Sequence, residues 1–281
     1  QIWQENFQKK NIEISIATKK IIKRKKLIIK NEYIKVHEFE ISGNYVNGIR
    51  GEKKKYTDFL KNSNFDIYFF YAAQQWSFDL ALPIIKSFNK KICFVPCGFS
   101  RLNNFFYKRY FDFLFNEISN INSVIFHSKY YQDYIVCKDK KIKNLSIITN
   151  GANTCLSKDQ KKNNDILIIS EIKFNKGLDR SLLALLMSDV SNNNLKIYSQ
   201  KKPHALNFYF LLINFLAFLL KLKKINTTLA YGFDEKYFKN ERFKFRIFLF
   251  GSRLECSPLV LYESAASGLP FVSFKSGNSE E

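Results

Sequence analysis

The chain has 281 residues, 46% apolar and 25% charged, so it carries enough apolar surface to fold and enough length for two domains. Lysine and arginine number 45 against 25 acidic residues, a formal net charge of +20. That charge suits nucleic acid, an anionic membrane leaflet or a phosphorylated ligand without choosing among them. Glycine (10) and proline (5) are too scarce for collagen or low-complexity linkers, and the five cysteines form no CxxC pair, which argues against a disulfide-stapled domain or a zinc ribbon.

The chain starts at Gln1 and stops at Glu281, soon after a glycine turn, and is expected to be a fragment with both ends missing. Residues 12–17 alternate apolar and polar like a strand. Residues 19–30 are a basic run, residues 34–39 a second short strand, and Ser42-Gly43-Asn44 and Asn47-Gly48 mark turns. Residues 53–60 read as a helix with Tyr56, Phe59 and Leu60 on one face. Continuous apolar strands follow at 67–71 and 92–95, with a helix expected over 78–88 between them. Further strands are expected at 123–127 and 145–148, with a helix-like stretch around Tyr130, Tyr131, Tyr134 and Ile135. Short apolar strands alternating with helices predict a parallel sheet covered on both faces.

A polar stretch over residues 150–164 suggests a domain boundary. A second series of alternating elements then begins, with strands expected at 165–169, 195–198, 228–231, 245–250 and 271–274. Helices are expected at 178–186 and 259–266, the latter ended by Ser267-Gly268-Leu269-Pro270. Residues 206–222, LNFYFLLINFLAFLLKL, are mostly apolar but interrupted by Asn207, Asn214 and Lys221. A domain helix with a large apolar face, a membrane-surface helix and a true span are all open, the span being disfavoured because it would cut a βα domain in two.

Residues 250–273 form the most site-like segment. A strand ends at Gly251, and Ser257 is expected to cap a helix whose first residue is Pro258. A helix start after a strand end offers free N–H groups to an anion. Glu255 precedes that helix and Glu263 lies one turn beyond Leu259 on the same face, so two carboxylates flank an anion site. Read alone, the two can equally be a loop residue and a solvated helix residue. Lys176, beside Gly177 and near a strand end, is placed to meet a diphosphate, or is a solvated loop lysine.

Ser252, Glu255, Pro258-Leu259-Val260-Leu261, Glu263, Ala266-Ser267-Gly268-Leu269-Pro270, Gly277 and Glu280 stand in fixed order. This segment closely resembles the C-terminal signature of the GT-B glycosyltransferases of family 4, also called glycosyl transferases group 1. Lys176-Gly177, Asn150-Gly151, Phe65-Asp66-Ile67, His127-Ser128 and residues 95–99 agree more loosely. Two departures stand out: the glycine-rich loop that opens most members is absent, and Glu171 occupies a position where many members carry arginine. The last strand is expected to be poorly covered.

The resemblance implies an α/β chain of the GT-B fold, two Rossmann-like βα domains facing across a cleft. Residues 1–150 would form the acceptor-side domain, lacking its first strand and glycine-rich loop, and residues 151–281 the nucleotide-sugar domain, lacking its C-terminal end. It implies a retaining transfer of sugar from a nucleotide-diphosphate sugar to a glycan or lipid-linked acceptor, with no metal or other cofactor. On this reading Lys176 holds the diphosphate together with the amides of Ser257, Leu259 and Val260 around Pro258. Glu255 contacts the transferred sugar, Glu263 the ribose, and Gly251 and Ser252 shape the loop beneath. Gln75, Trp76, Gly98, Phe99 and His127 are acceptor-side candidates. Trp76 either stacks on a sugar or packs against a helix, and His127 lines the cleft or fills space beside it. The basic run, with Phe105, Phe106, Tyr107, Lys108 and Arg109, would meet an anionic membrane surface on the cytoplasmic face, where many members build cell-surface polysaccharide or glycolipid. A degenerate domain that binds a nucleotide sugar or a partner without transfer is the alternative. Specific nucleic-acid binding is not expected, because no ribonucleoprotein motif, zinc finger or GXXG loop is present.

Overall fold

The computed structural model describes residues 12–20, 33–153, 162–232 and 242–280. The chain divides into two compact units, Gln1–Phe126 with Gln132–Ser146, and His127–Tyr131 with Ile147–Glu281. The segment expected as a helix before residue 12 and most of the basic run, beyond Lys19 and Lys20, lie outside the described residues. Lys20 is paired with Glu40 at 2.7 Å.

In the first unit β1 (Ile14–Lys19) and β2 (Ile34–Phe39) pair in parallel, and β3 (Ile41–Ser42) pairs antiparallel with β4 (Arg50–Gly51) across the turn-rich stretch. Helix α1 (Lys53–Asn62) buries Tyr56 and Leu60, the face expected from the sequence. Strands β5 (Ile67–Tyr71), β6 (Lys91–Val95), β7 (Ser123–Phe126) and β8 (Leu145–Ile147) form a sheet in chain order. Between β5 and β6 the expected single helix is two pieces, α2 (Trp76–Ala81) and a 3-10 segment, Leu82–Ser87. Pro83 explains the change, since it lacks the N–H that an α-helical ladder needs there. Helix α3 (Lys108–Glu117) separates β6 from β7, and α4 (Gln132–Asp139) separates β7 from β8. Their core is aromatic, with Phe78 stacked on Phe94 at 3.8 Å.

One expectation fails in this unit. The continuous apolar run of β5 was expected to be buried on both faces, yet only Tyr68 and Phe70 enter the core, and Ile67, Phe69 and Tyr71 are exposed. Strand β5 lies at the edge of its sheet, with β6 as its one neighbour there.

The second unit holds five parallel strands: β9 (Ile166–Ile169), β10 (Asn193–Ser199), β11 (Ile225–Tyr231), β12 (Ile247–Phe250) and β13 (Phe271–Ser273), ordered β11-β10-β9-β12-β13. The chain leaves β9 toward β10 and β11, then returns to place β12 on its other side. That reversal makes the gap between the ends of β9 and β12 a topological switch point, where open α/β sheets bind ligands. Helices α5 (Leu178–Met187) and α6 (Phe208–Leu222) share a core with Ile166, Ile168, Leu195 and Ile197. Leu167, Phe248 and Phe250 face the other way, toward Leu261 of α7 (Leu259–Ala266). This sheet is covered on both faces as its unbroken apolar strands require. Phe271 and Val272 of the last strand are exposed, as expected.

Most of residues 206–222 form helix α6, packed into the core of the second unit. Asn207 caps it, accepting the Phe210 N–H at 3.0 Å. It buries Phe210, Ile213, Leu216 and Leu220, each worth about 1.5–3 kcal/mol. At its far end the Lys223 ammonium donates to the carbonyls of Leu185, Leu186 and Ser188, closing the C-terminus of α5. Among the described residues no helix is long and apolar enough to cross a membrane.

Candidate active site

Two loops meet at the switch point. The loop after β9 carries Glu171 and Lys173, and then a 3-10 turn, Phe174–Lys176, that ends at Gly177 with φ +58°. The loop after β12 carries Gly251, Ser252, Arg253 and Glu255. A Cβ on Gly177 would fall 1.9 Å from the Gly251 carbonyl oxygen, and one on Gly251 would fall 2.3 Å from the Gly177 carbonyl oxygen. Both positions therefore need glycine, and the two backbones touch as no larger residues would allow.

Hydrogen bonds hold this contact in register. The Arg253 N–H donates to the Asn175 carbonyl at 3.0 Å, and the Ser252 hydroxyl oxygen lies 3.2 Å from the same carbonyl. The Arg253 guanidinium donates to the Phe174 carbonyl at 2.8 Å and to both oxygens of Asp179 at 2.7 and 2.6 Å, a bidentate pair. It also lies over the Phe174 ring at 4.1 Å. Tyr209 of α6 adds its hydroxyl to Asp179 at 2.7 Å. Burial pushes the Asp179 carboxyl up, but the bonds from Arg253 and Tyr209 outweigh it and leave the group below the usual carboxylate range.

The laced loops bring Lys176 and Glu255 together: the ammonium lies 2.6 Å from Oε1, which also accepts the Ser252 hydroxyl at 2.9 Å. Both side chains line a cleft of about 520 Å³ together with Gly251, Ser252, Ser257, Pro258, Leu259 and Val260. Glu171 lines the same cleft, and its charge is matched by Lys173 at 2.5 Å. That bond, reinforced by Lys176 and Lys201, holds the Glu171 carboxyl below its ordinary range. The acidic departure at this position is thus neutralised locally.

The helix start differs from expectation. Pro258 is the cap residue, with extended backbone, and α7 begins at Leu259. Ser257 does not cap it. Its hydroxyl reaches Tyr262 at 3.4 Å and its carbonyl accepts from Asn150 at 2.9 Å, so the Asn-Gly turn is tied to the site loop. Among the described residues no side-chain bond caps the start of α7. Glu263 is not among the residues lining the cleft; it pairs at 3.0 Å with the almost fully buried Arg242, a partner that no spacing in the sequence marks.

In the first unit two of the acceptor-side candidates are core residues. Trp76 is buried edge-on against Tyr56 at 4.9 Å, so it packs against a helix and presents no face to a sugar. Phe99 is wholly buried against Phe111 and Phe115. Gln75 is exposed at the start of α2. Gly98, with φ +93°, donates its N–H to the buried Asp133 at 2.8 Å. His127 falls in the second unit, where its Nδ1 donates to the Ile148 carbonyl at 3.0 Å. Sequence reading missed the strained backbone of the first unit: Ala72, Gln74 and Cys97 also have positive φ, at 71°, 59° and 57°, just beyond the ends of β5 and β6. Such strain concentrates at functional loops. It is held by a second buried carboxylate, Asp79, which accepts from the Tyr45 N–H at 2.8 Å and the Tyr110 hydroxyl at 3.0 Å, while Tyr110 also accepts from the Gln74 N–H at 2.9 Å. Among the described residues no three His, Cys, Asp or Glu side chains gather as metal ligands would.

No protein-family model matches the chain, and no curated protein matches it. Solved structures do. Sucrose-phosphate synthase from Thermosynechococcus elongatus superposes with a TM-score of 0.71 at 13% identity, covering 98% of this chain and 74% of the synthase. A glycosyltransferase from Rickettsia africae ESF-5 gives 0.70 at 18% identity, covering 98% and 74%. HepE from Anabaena, in complex with UDP and glucose, gives 0.66 at 13% identity, covering 88% and 69%. At these identities the likeness defines the architecture: two parallel-sheet α/β lobes, each Rossmann-like, in the GT-B fold of glycosyltransferases.

Proposed function

We propose that the chain is a glycosyltransferase that moves a sugar from a nucleotide-diphosphate sugar to a hydroxyl of a glycan or lipid-linked acceptor, with retention at the anomeric carbon. The observation that carries this reading is the Lys176–Glu255 pair, 2.6 Å apart at the β9/β12 switch point on two glycine-locked loops. Transfer breaks the bond between the anomeric carbon and the phosphate oxygen, forms one to the acceptor oxygen and frees the acceptor's proton. Negative charge grows on the departing diphosphate. The Lys176 ammonium and the uncapped N–H groups of α7 are oriented donors for that charge, which is where fixed dipoles lower a barrier most. Glu255 accepts from hydroxyls of the transferred sugar, while Glu263 stays on Arg242 outside the cleft lining. The similarity to HepE, solved with UDP and glucose, supports the choice of donor class. On this reading the protein works where nucleotide sugars are made, in the cytoplasm, and uses no metal.

Titration calorimetry with UDP-glucose and other nucleotide sugars tests the assignment. Lys176→Ala is expected to weaken donor binding about 10–100-fold, the worth of a charge-assisted contact to phosphate. Glu255→Ala is expected to lower turnover more than binding. Unchanged donor affinity in Lys176→Ala would overturn the assignment. Donor binding without transfer to any acceptor would favour the alternative reading, a nucleotide-sugar-binding domain that has lost transfer.

A further inference from the structure

The outward face of α6 carries an exposed apolar stripe. Phe208, Leu211, Phe215, Phe218 and Leu222 follow one another at spacings of three and four residues, which places them in one stripe along the helix. All five are between 50% and 83% exposed. They are not the buried face, which is Phe210, Ile213, Leu216 and Leu220. Leu206 ahead of the helix and Met187 at the end of neighbouring α5 are exposed as well, and the Lys223 bonds to the end of α5 bring Met187 beside the stripe's far end. A contiguous apolar ridge of this kind marks a contact with something apolar.

The charges around it say what that is. Residues 190–233 contain six lysines and no aspartate or glutamate. Lys196 is used on Asp165 and Lys223 on the α5 carbonyls. Lys201 and Lys202 before the helix, and Lys221 and Lys224 at its end, remain exposed. Lysines thus bracket an aromatic and aliphatic stripe from both ends. At 15 residues the helix is about 22 Å long, suited to lying along an interface rather than crossing it. Phe and Leu on one side with lysines at the margins is the pattern of a helix seated at the headgroup level of an anionic bilayer.

We propose that α6 docks the second unit on an anionic membrane surface, its Phe208–Leu222 face inserted among the acyl chains and Lys201, Lys202, Lys221 and Lys224 on the headgroups. A helical groove in a protein partner or a second copy of the chain would meet the same stripe, but neither calls for cations at both ends with no acid between them. None of the five stripe residues lines the Lys176–Glu255 cleft, so this proposal stands whether or not the donor reading does.

The test is flotation of the full chain with vesicles of phosphatidylcholine alone and of phosphatidylcholine with about a quarter phosphatidylglycerol. Binding is expected to the anionic vesicles, to weaken with salt, and to fall at least about tenfold in Phe215→Ser/Phe218→Ser and in Lys221→Glu/Lys224→Glu. All four side chains are exposed, so the fold should survive, and thermal melting by circular dichroism checks that. As an independent readout, Phe215→Trp should show a blue shift of its emission on anionic vesicles. No flotation of the wild-type chain, flotation unchanged in both double variants, or a Phe215→Trp emission unmoved by vesicles would overturn the proposal. A concentration-dependent dimer that Phe215→Ser/Phe218→Ser dissociates, without vesicle binding, would assign the stripe to a second copy instead.

Discussion

Asp79 is 2% exposed and holds two loops of the first unit, through the Tyr45 N–H and the Tyr110 hydroxyl. Burial raises its carboxyl to about 6, against an ordinary 3.8, and the two hydrogen bonds only partly oppose this. The folded protein therefore keeps a proton there that the unfolded chain releases. Below the unfolded value the group is neutral in both states, and burying it carries no charge penalty. As pH rises toward 6 stability falls, by about 3 kcal/mol in all, and then levels. Asp79→Asn cannot ionise and should gain on the wild type over that window. Urea midpoints at pH 4 and pH 7 check this, and a difference between the two proteins that does not change with pH would contradict it. At this scale the sequence was legible where a residue's role depends on its neighbours in the chain. Ser252 and Glu255, three residues apart in one loop, bond to each other. Roles set by distant partners were not legible. Nothing near Glu263 in sequence announces Arg242, 21 residues earlier, and nothing near Trp76 announces Tyr56.

At the scale of elements, the site depends on two loops touching through glycine backbones. Gly177→Ala would place a Cβ 1.9 Å from the Gly251 carbonyl oxygen and strain a backbone at φ +58°. The loops must then separate, carrying Lys176 away from Glu255. The expected outcome is loss of most donor binding with a smaller change in melting temperature, because the cores beneath the loops are untouched. Equal donor affinity in Gly177→Ala and wild type, by calorimetry, would show that the lock does not position the site. Strand positions in the second unit were largely readable, since buried parallel strands appear as unbroken apolar runs. Helix α3 was not. Phe111, Phe113 and Phe115 alternate as a strand would, while the structure buries Tyr110, Phe111 and Leu114 at helical spacing. The capping residue was misread by one position, because a serine before proline resembles a cap by type although the extended backbone belongs to Pro258.

For the whole molecule, two α/β units and the GT-B fold were foreseeable from alternating strand and helix patterns and from the signature at residues 250–281. The exposed face of β5 was not, because an apolar run does not reveal whether the sheet face it feeds is covered. The net charge of +20 was uninformative by itself. It gains meaning only where the fold sets lysines against an apolar ridge, as around α6, or beside a switch point, as at Lys176. The donor site is the central claim, and ligand-detected magnetic resonance on the chain with a panel of nucleotide sugars and no added metal tests it most directly. Saturation transfer to the base, ribose and sugar protons of at least one nucleotide sugar, lost in Lys176→Ala, is the expected result. No transfer to any of them from well-folded protein would contradict it.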